Sequence, residues 1–409
     1  MRRLEVRLHW GDGETVVGLL AEHDRRVYFE YDPAFLAAPL PISPFKLPPR
    51  PGLVEHQDRE FSSSFGVFSD SLPDGWGLLL MDREFRKRGL KIPEITVLDR
   101  LGYIHTRGMG ALTYHPSAGS DGDESFALDL TDLARQAERI LEGSMEQVLP
   151  ALRVVGGSPG GARPKVLVAV GEDGHLISGT SEVPPGYRHY LVKFAAREDP
   201  ADIGPAEAAY ALMAADAGIT VPPSRLFDTS EGHRHFGAER FDRSANGRVH
   251  MHTLGGLLHA SHRLPSVQYE GFLRATRELT KDHREVEEAF RRMAFNVIAH
   301  NRDDHVKNFS YLMDRTGTWR LAPAYDLVFS HGPGGEHTMA VAGEARRPTE
   351  RDMLRVAHLC DVEHRRAREM VQQVEAAVGD WHRFAQATGV SATTEQEIGA
   401  IITVPLDRR

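Results

Sequence analysis

Residues 1 to 115 carry the alternating hydrophobic and polar pattern of antiparallel strands. The stretch LEVRLHW alternates from Leu4 onward, a Gly-Asp-Gly turn follows it, and the runs TVVGLLAE and RRVYFEYD come next. Short alternating runs that are separated by turns predict β-hairpins. One helix is predicted in the same region, because the turn Pro73-Asp74-Gly75 is followed by the apolar run WGLLLM and a stop at Gly89.

The middle of the chain mixes strand and helix signals. The small polar run HPSAGSDGDES predicts a linker. The stretch LTDLARQAERILEG has helical spacing of its apolar residues, and the helix PAEAAYALMAADAG is expected to end at Gly218. Between these two helices, a glycine-rich stretch, GGSPGGARPK, precedes the strand-like runs KVLVAV and HYLVKFAA.

The chain is predicted to be mostly helical from residue 250 onward. The strongest helix signal is DHREVEEAFRRMAFNVIAH, whose apolar stripe is formed by Val286, Phe290, Met293 and Val297. A chain of 409 residues is too long for one ordinary compact domain. We therefore expect three segments, with boundaries at residues 1–115, 116–243 and 244–409.

Composition narrows the class of protein without identifying it. The 41% hydrophobic and 26% charged fractions are ordinary for a globular protein, and the net charge of −9 argues mildly against a protein that binds nucleic-acid backbones. The single cysteine, Cys360, excludes a disulfide within the chain and fits a reducing cytoplasm. The N-terminus lacks the apolar stretch of a signal peptide, and no run is long enough to span a bilayer.

The richest polar stretch is HNRDDHVKNF, residues 300 to 309. Kinase-type phosphoryl transfer needs a carboxylate that orients the acceptor hydroxyl, and a metal-binding amide five positions later. Asp303 and Asn308 have this spacing, and Lys307 between them could offset charge on the moving phosphoryl group. Asp326 in WRLAPAYDLVFS follows an apolar strand-like run and supplies a second metal carboxylate.

The parts that would hold a nucleotide come earlier in the chain. Lys193 lies in the otherwise apolar strand HYLVKFAA, where an ammonium group needs an anionic partner such as a phosphate or the helix residue Glu207. The glycines of GGSPGGARPK permit close approach of the backbone to a phosphate, although no Walker A signature follows. Each feature alone is weak, but the complete set in this order favours a phosphotransferase.

These residues resemble the HipA family of serine/threonine kinases, the toxin half of HipBA-type toxin–antitoxin modules. The likeness covers most of the chain and is carried by LPDGWGLLLMDR, GGSPGGARPKVLV, YLVKF, AERFDR, DDHVKNFSYL and LAPAYDLVFS. Its most specific part is Asp-x-His-x-Lys-Asn-Phe-Ser, from Asp303 to Ser310. The resemblance implies an α+β, two-lobed protein-kinase-like fold. An N-terminal β-rich subdomain would pack on the small lobe, and the C-terminal lobe would be mostly helical.

The resemblance also implies roles for individual residues. Asp303 would be the catalytic base, assisted by Lys307, and Asn308 and Asp326 would bind Mg²⁺. His305 is expected to brace the loop by hydrogen bonds rather than to ligate metal. The residues expected to form the ATP site are Gly160, Gly161, Ala162, Arg163, Lys165, Lys193, Glu239, Phe241, His305 and Asp326.

Regulation and partners are likewise implied by the family. Autophosphorylation of a serine in the phosphate loop switches such kinases off, and Ser158 occupies the matching position. Family members phosphorylate aminoacyl-tRNA synthetases, and a HipB-like helix-turn-helix antitoxin neutralises them. The antitoxin also carries them to DNA, so contact with DNA would be indirect. A homodimer is expected only by analogy, and no membrane association is expected.

Two other classes of function stay open from the sequence. A metal-dependent hydrolase or nuclease could use His300, Asp303, Asp304 and His305 as ligands. A kinase fold without activity could serve as a corepressor together with its antitoxin. A small-molecule kinase of the aminoglycoside type is a third possibility, against which the His-x-Lys-Asn-Phe continuation argues.

Overall fold

A computed structural model gives the architecture of most of the chain. It describes residues 2–118, 127–142, 152, 161, 163–179, 183–196, 199–244 and 247–406. Within these ranges, none of the helices is both long and apolar enough to cross a bilayer.

The N-terminal region is built on an antiparallel sheet with strand order β4-β3-β2-β1-β5. The alternation read from LEVRLHW is confirmed, because Leu4, Val6 and Leu8 are buried on one face. The strands are β1 Arg2–His9, β2 Glu14–His23, β3 Arg26–Tyr31, β4 Leu53–Glu55 and β5 Leu112–His115. The helices are α1 Pro33–Ala37, α2 Gly66–Ser69, α3 Gly75–Lys87 and α4 Val97–Ile104, with a 3₁₀ turn at Ile92–Glu94.

The small lobe contains a second antiparallel sheet, in the order β7-β6-β8-β10-β9. Its neighbouring strands β6 and β8 put Lys165 opposite Lys193. Both predicted helices are present. The strands are β6 Lys165–Val170, β7 Leu176–Ser178, β8 Arg188–Lys193, β9 Ser224–Asp228 and β10 Arg234–Glu239. The helices are α5 Leu130–Leu141 and α6 Ile203–Asp216.

The C-terminal lobe is mostly helical, as expected, and its central helix buries the predicted stripe completely or nearly so. A small sheet of order β13-β14-β15, which the sequence pattern did not predict, flanks the 300–309 loop. The helices are α7 Leu254–Leu258, α8 Tyr269–Thr280, α9 His283–Ile298, α10 Glu350–Leu359, α11 His364–Gly379, α12 Trp381–Thr388 and α13 Ala392–Ile402, with a 3₁₀ turn at Pro333–Gly335. The strands are β11 Arg243–Ser244, β12 Gly247–Arg248, β13 His250–Thr253, β14 Ser310–Met313 and β15 Trp319–Leu321.

The N-terminal region packs on both lobes. Helix α3 makes the expected contact with the small lobe, since Trp76 and Leu80 belong to its hydrophobic core. The Trp76 indole N–H also donates to the Lys165 carbonyl at 3.1 Å. The core of the N-terminal sheet, in contrast, is continuous with that of the helical lobe. Helices α2 and α7 approach so closely that a Cβ at Gly66 would lie 1.9 Å from the carbonyl oxygen of Gly256.

A buried carboxylate fixes the same contact by hydrogen bonds. Asp70, just after α2, accepts from both the backbone N–H and the hydroxyl of Thr253, at 2.7 and 2.8 Å. It also contacts the ring of His252 at 2.5 Å. A residue of the N-terminal region therefore holds Thr253, the N-cap residue of α7. This contact places α3 beside the cleft between the lobes.

Candidate active site

The expected site residues of the described chain lie around one cavity of about 590 Å³ between the two lobes. The small lobe contributes the end of the glycine-rich stretch, the lysine strand, the last residue of β10 and a residue just after it, namely Gly161, Arg163, Lys165, Lys193, Glu239 and Phe241. The helical lobe contributes Asp303, His305, Lys307, Asn308 and Asp326. Ser158, Gly160 and Ala162 lie outside the described residues.

Lys193 is held between two carboxylates. It ends strand β8, and its ammonium group contacts Glu207 on α6 and the Asp326 carboxylate, the latter at 2.6 Å. Burial by itself would lower the pKa of Lys193, but the two carboxylates raise it above its usual range. The lysine is therefore charged. Glu207 is one of the anionic partners that the sequence predicted for it.

The two carboxylates respond differently to burial. For Glu207, burial is the largest effect, and it raises the pKa of the carboxyl even though Lys193 opposes it. For Asp326, the positive charges of Lys193 and Lys165 outweigh burial and hold the pKa well below its ordinary value. Asp326 thus presents a carboxylate to the cavity at neutral pH, as a metal ligand must.

The backbone at Asp326 adopts a left-handed conformation with φ of 59°. Such a conformation is unfavourable for residues other than glycine and is often found at functional sites. Tyr325 fixes this turn, because its hydroxyl donates to the carbonyl of Lys307 at 2.6 Å. The predicted metal carboxylate and the 300–309 loop are therefore held together.

The loop that follows α9 exposes Asp303 to the cavity, with 56% of its side chain accessible. The amide nitrogen of Asn308 donates to the Asp303 carbonyl at 2.7 Å, so the two residues five positions apart close the loop. His305 accepts from the Lys307 backbone N–H at 3.3 Å, which is the bracing contact expected of it. The protein around Asp303 still removes part of its hydration and raises its pKa, while His305 opposes this shift.

Asp304 has a structural role that the sequence did not indicate. Its side chain is buried and accepts from the Tyr269 hydroxyl at 2.6 Å and the Thr338 backbone N–H at 2.7 Å. It also lies 2.8 Å from the ring of His337. Asp304 therefore ties the 300–309 loop to the segment that follows Asp326. No local pattern could have revealed this, since its partners lie more than thirty positions away.

The N-terminal region supplies a residue to the cavity. The Lys307 ammonium group lies 2.9 Å from the carboxylate of Asp74, which precedes α3. The other oxygen of Asp74 accepts from the backbone N–H of Gly161. From the sequence, Asp74 was only the middle residue of a Pro-Asp-Gly turn, and nothing in that turn indicates a role in the site.

The motif AERFDR, residues 238–243, contacts both the cavity and the N-terminal region. Glu239 and Phe241 line the cavity, as expected. Asp242 does not line the cavity, and its carboxylate binds Arg240 and Arg243 at 2.8 Å each. All three are buried or nearly so, and together they contact the backbone of residues 108–110 in the N-terminal region.

The ligand set of a hydrolase is not assembled. His300 stacks on Phe329, while Asp304 is turned inward, away from the exposed Asp303. In the part of the chain that the structure describes, no three His, Cys, Asp or Glu side chains converge so as to hold a metal ion. The four side chains predicted as ligands of a hydrolase or nuclease, His300, Asp303, Asp304 and His305, therefore do not form such a group in the structure.

Family models match most of the chain. The "HipA N-terminal domain" model matches residues 8–115, and the "HipA-like C-terminal domain" model matches residues 157–381. A Haemophilus influenzae protein named as a proposed kinase is 26% identical over 187 residues, 42% of this chain. That match spans 52% of the relative, about half of its length.

Solved structures were compared as well. HipA from Shewanella oneidensis MR-1, in a complex of HipA, HipB and operator DNA, superposes with a TM-score of 0.75 at 15% identity. The match covers 99% of this chain and 97% of that one, and it shows that the two share a fold. The Helicobacter pylori proinflammatory kinase CtkA aligns with a TM-score of 0.35 over 54% of this chain, too low for a conclusion about fold.

Proposed function

This chain belongs to the HipA family, and on that premise we propose that it is an ATP-dependent serine/threonine protein kinase that acts as a toxin. The observation that carries the proposal is the position of the Lys193 ammonium group between Glu207 and Asp326. This cluster opens on the same cavity as Asp303 and Asn308. A lysine paired with a helix glutamate, a metal carboxylate, a base and an amide are the parts that kinase phosphoryl transfer uses.

The cavity fits a nucleotide. The hinge segment with Glu239 and Phe241 would receive the adenine, and Lys193 would bind the α- and β-phosphates. The remaining phosphate contacts would come from the glycine-rich stretch, through Gly160, Gly161, Ala162, Arg163 and Lys165. An apolar cleft with a few convergent charged groups is the usual form of such a site.

The donor set also fits Mg²⁺, which prefers oxygen ligands. Asp326 supplies an ionised carboxylate. The nitrogen of the Asn308 amide is engaged by the Asp303 carbonyl, so its oxygen is the atom left to coordinate a cation. Bound Mg²⁺ would offset the negative charge of the phosphate oxygens.

The transfer itself needs little further chemistry from the protein. Asp303 accepts the proton of a seryl or threonyl hydroxyl as the bond from that oxygen to the γ-phosphorus forms. The bond from the γ-phosphorus to the bridging oxygen breaks, and ADP leaves. Lys307 offsets charge on the moving phosphoryl group.

The finer properties of the kinase are part of the same proposal. The substrate would be a protein hydroxyl, with aminoacyl-tRNA synthetases as first candidates, and phosphorylation of Ser158 would switch the kinase off. A HipB-like helix-turn-helix antitoxin would bind the chain and bring it to DNA, as the HipA–HipB–DNA complex of Shewanella oneidensis suggests. We expect a cytoplasmic protein, a possible homodimer, and units bounded at residues 1–115, 116–243 and 244–409.

The deciding experiment is incubation of the purified chain with Mg²⁺ and ATP, followed by phosphopeptide mass spectrometry. An Asp303→Asn variant is the control. Phosphate on Ser158 in the parent chain and its absence from the variant would support both the activity and the switch. Unconsumed ATP with no phosphorylated residue would contradict the kinase and leave the inactive corepressor.

A further inference from the structure

Asp74 stands at the N-cap position of α3 but does not cap it. An aspartate at this position ordinarily accepts from the first free N–H groups of its helix. Among the hydrogen bonds of the described residues, none joins the Asp74 carboxylate to the backbone of α3. The side chain is turned instead into the cavity between the lobes, which it helps to line.

Both oxygens of this carboxylate have partners across the cleft. One oxygen lies 2.9 Å from the Lys307 ammonium group on the catalytic loop. The other accepts from the backbone N–H of Gly161, at the end of the glycine-rich stretch. Burial alone would raise the pKa of Asp74, but Lys307 and the Gly161 N–H hold it below its ordinary value, so the group is ionised.

These two partners are donors that a nucleotide would use. An ammonium group and a backbone N–H in a glycine-rich loop are the usual ligands of phosphate oxygens. In the structure, Lys307 and the Gly161 N–H contact the two oxygens of the Asp74 carboxylate instead. Like a phosphate, this carboxylate is an anion whose oxygens can bridge two donors. A γ-phosphate and the Asp74 carboxylate would therefore need the same two donors. The two anions would also repel each other if both were present.

We propose that Asp74 is an internal competitor for the terminal phosphate of the nucleotide. The N-terminal region thereby sets the affinity of the site for ATP, because Asp74 must leave Lys307 and Gly161 before the γ-phosphate can bind there. This inference rests on the proposed kinase function, and it assigns to the N-terminal region a direct part in the active site.

The site can be tested without dismantling the fold around it. Gly161 is also held through its carbonyl, which accepts from the Trp76 backbone N–H at 3.3 Å. The Trp76 side chain is anchored separately on Lys165. Substitution Asp74→Asn, which keeps the size of the side chain, should therefore remove the charge and leave α3 in contact with the loop.

Calorimetric titration should compare the parent chain with Asp74→Asn and Asp74→Ser in the presence of Mg²⁺. The ligands are AMP and the ATP analogue with an imido group between the β- and γ-phosphates. If Asp74 occupies nine-tenths of the empty sites, the apparent Kd of the analogue is weakened about tenfold. Both variants should recover about that factor for the analogue, while their affinity for AMP stays unchanged.

Two controls fix the interpretation. Asp82→Asn changes an aspartate of the same helix, which pairs with Arg100 at 2.6 Å away from the cavity, and it should leave both affinities as in the parent. In a Lys307→Met background the effect of Asp74→Asn should be clearly smaller, because one of the two shared partners is gone.

Unchanged or weaker binding of the analogue by both Asp74 variants, with the parent binding it measurably, would overturn this inference and leave the kinase proposal intact. A parent chain and variants that bind neither AMP nor the analogue would overturn the proposed function, and the inference with it.

Discussion

Asp303 and Asp304 are adjacent carboxylates with opposite environments. Asp303 opens on the cavity, whereas Asp304 is buried among Tyr269, His337 and Thr338. The first is accessible for the proton transfer that we propose, whereas the hydrogen bonds of the second hold the loop in place. Environment, and not residue type, decides which of two neighbouring aspartates can take part in the chemistry.

We expect the rate of phosphoryl transfer to depend on the ionisation of Asp303. Its pKa is raised, and the base works only when ionised, so kcat should rise with pH through that raised pKa and level off above it. Asp303→Asn should reduce kcat by about 10²- to 10⁴-fold. Steady-state release of ADP as a function of pH measures both. Retention of most activity in Asp303→Asn would show that another group is the base.

Replacement of Asp304 should lower the stability of the protein and displace the 300–309 loop. Asp304→Asn leaves buried donors without their anionic acceptor, which should lower the free energy of unfolding by about 1–3 kcal/mol. Displacement of the loop should lower kcat by about 10- to 100-fold while the affinity for the ATP analogue is kept. Urea denaturation and calorimetry separate the two effects. Asp361→Asn, at an exposed pair with Arg277, is the control that should change neither.

The local part of the site could be predicted from the sequence. Asp303, Asn308 and Asp326 follow recognisable spacings, and Lys193 is conspicuous in an apolar strand. The structure brings these residues to one cavity. Asp74 could not be predicted, because it meets Lys307 across 233 positions and the two residues share no pattern.

At the scale of elements, the segment that follows strand β10 is bound to the N-terminal region by a buried charge cluster. Asp242 accepts from Arg240, Arg243 and the backbone N–H of Gly110. Burial alone would raise the pKa of Asp242, but the two guanidinium groups hold it well below its ordinary value. The cluster therefore fixes the end of β10, where the adenine is proposed to bind, relative to the N-terminal sheet.

Asp242→Asn should be strongly destabilising, because it leaves two buried guanidinium groups without their carboxylate. Loss of one member of a buried ion pair costs about 3–5 kcal/mol of unfolding free energy. Since the folded-state pKa is depressed, this stabilisation is present above the ordinary pKa of 3.8 and is lost as the pH falls through the folded-state value. Urea denaturation at several pH values measures it.

The control for this prediction is Asp228→Asn, at a pair with Arg234 that remains largely exposed. Its unfolding free energy should differ little from that of the parent chain, because exposed pairs contribute little. An equally small change in unfolding free energy for Asp242→Asn would contradict the inference that the charge cluster fixes the end of β10.

At the scale of the whole molecule, the N-terminal sheet and the helical lobe share one hydrophobic core. The sheet of the small lobe has a separate core, joined to the N-terminal region through Trp76 and Leu80, whereas helix α6 packs into the shared core. Elements that share a core tend to lose their structure as one cooperative unit. The N-terminal region is thus expected to behave thermodynamically as part of the helical lobe.

Hydrogen exchange at increasing urea concentrations tests this expectation. Amides of β1 and α9 should lose protection at the same urea concentration, because unfolding of either exposes the core of the other. Amides of β6, in the core of the small lobe, provide the comparison. Loss of protection in β1 while α9 stays protected would show that the N-terminal sheet is an independent unit.

Local patterns in the sequence were sufficient to predict the main elements and the part of the site that lies within short stretches of the chain. The alternation of apolar residues predicted the first strands of the N-terminal sheet, and the apolar stripe predicted helix α9. The spacing of five positions predicted that Asp303 and Asn308 lie together. These features depend on backbone geometry over a few residues, which a linear pattern records.

Which distant segments meet could be seen only in the folded molecule. The pairing of Asp74 with Lys307, the inward turn of Asp304 and the union of two regions in one core all depend on how complete elements pack. Such contacts follow from shape and burial summed over many residues, so no short stretch of the chain specifies them.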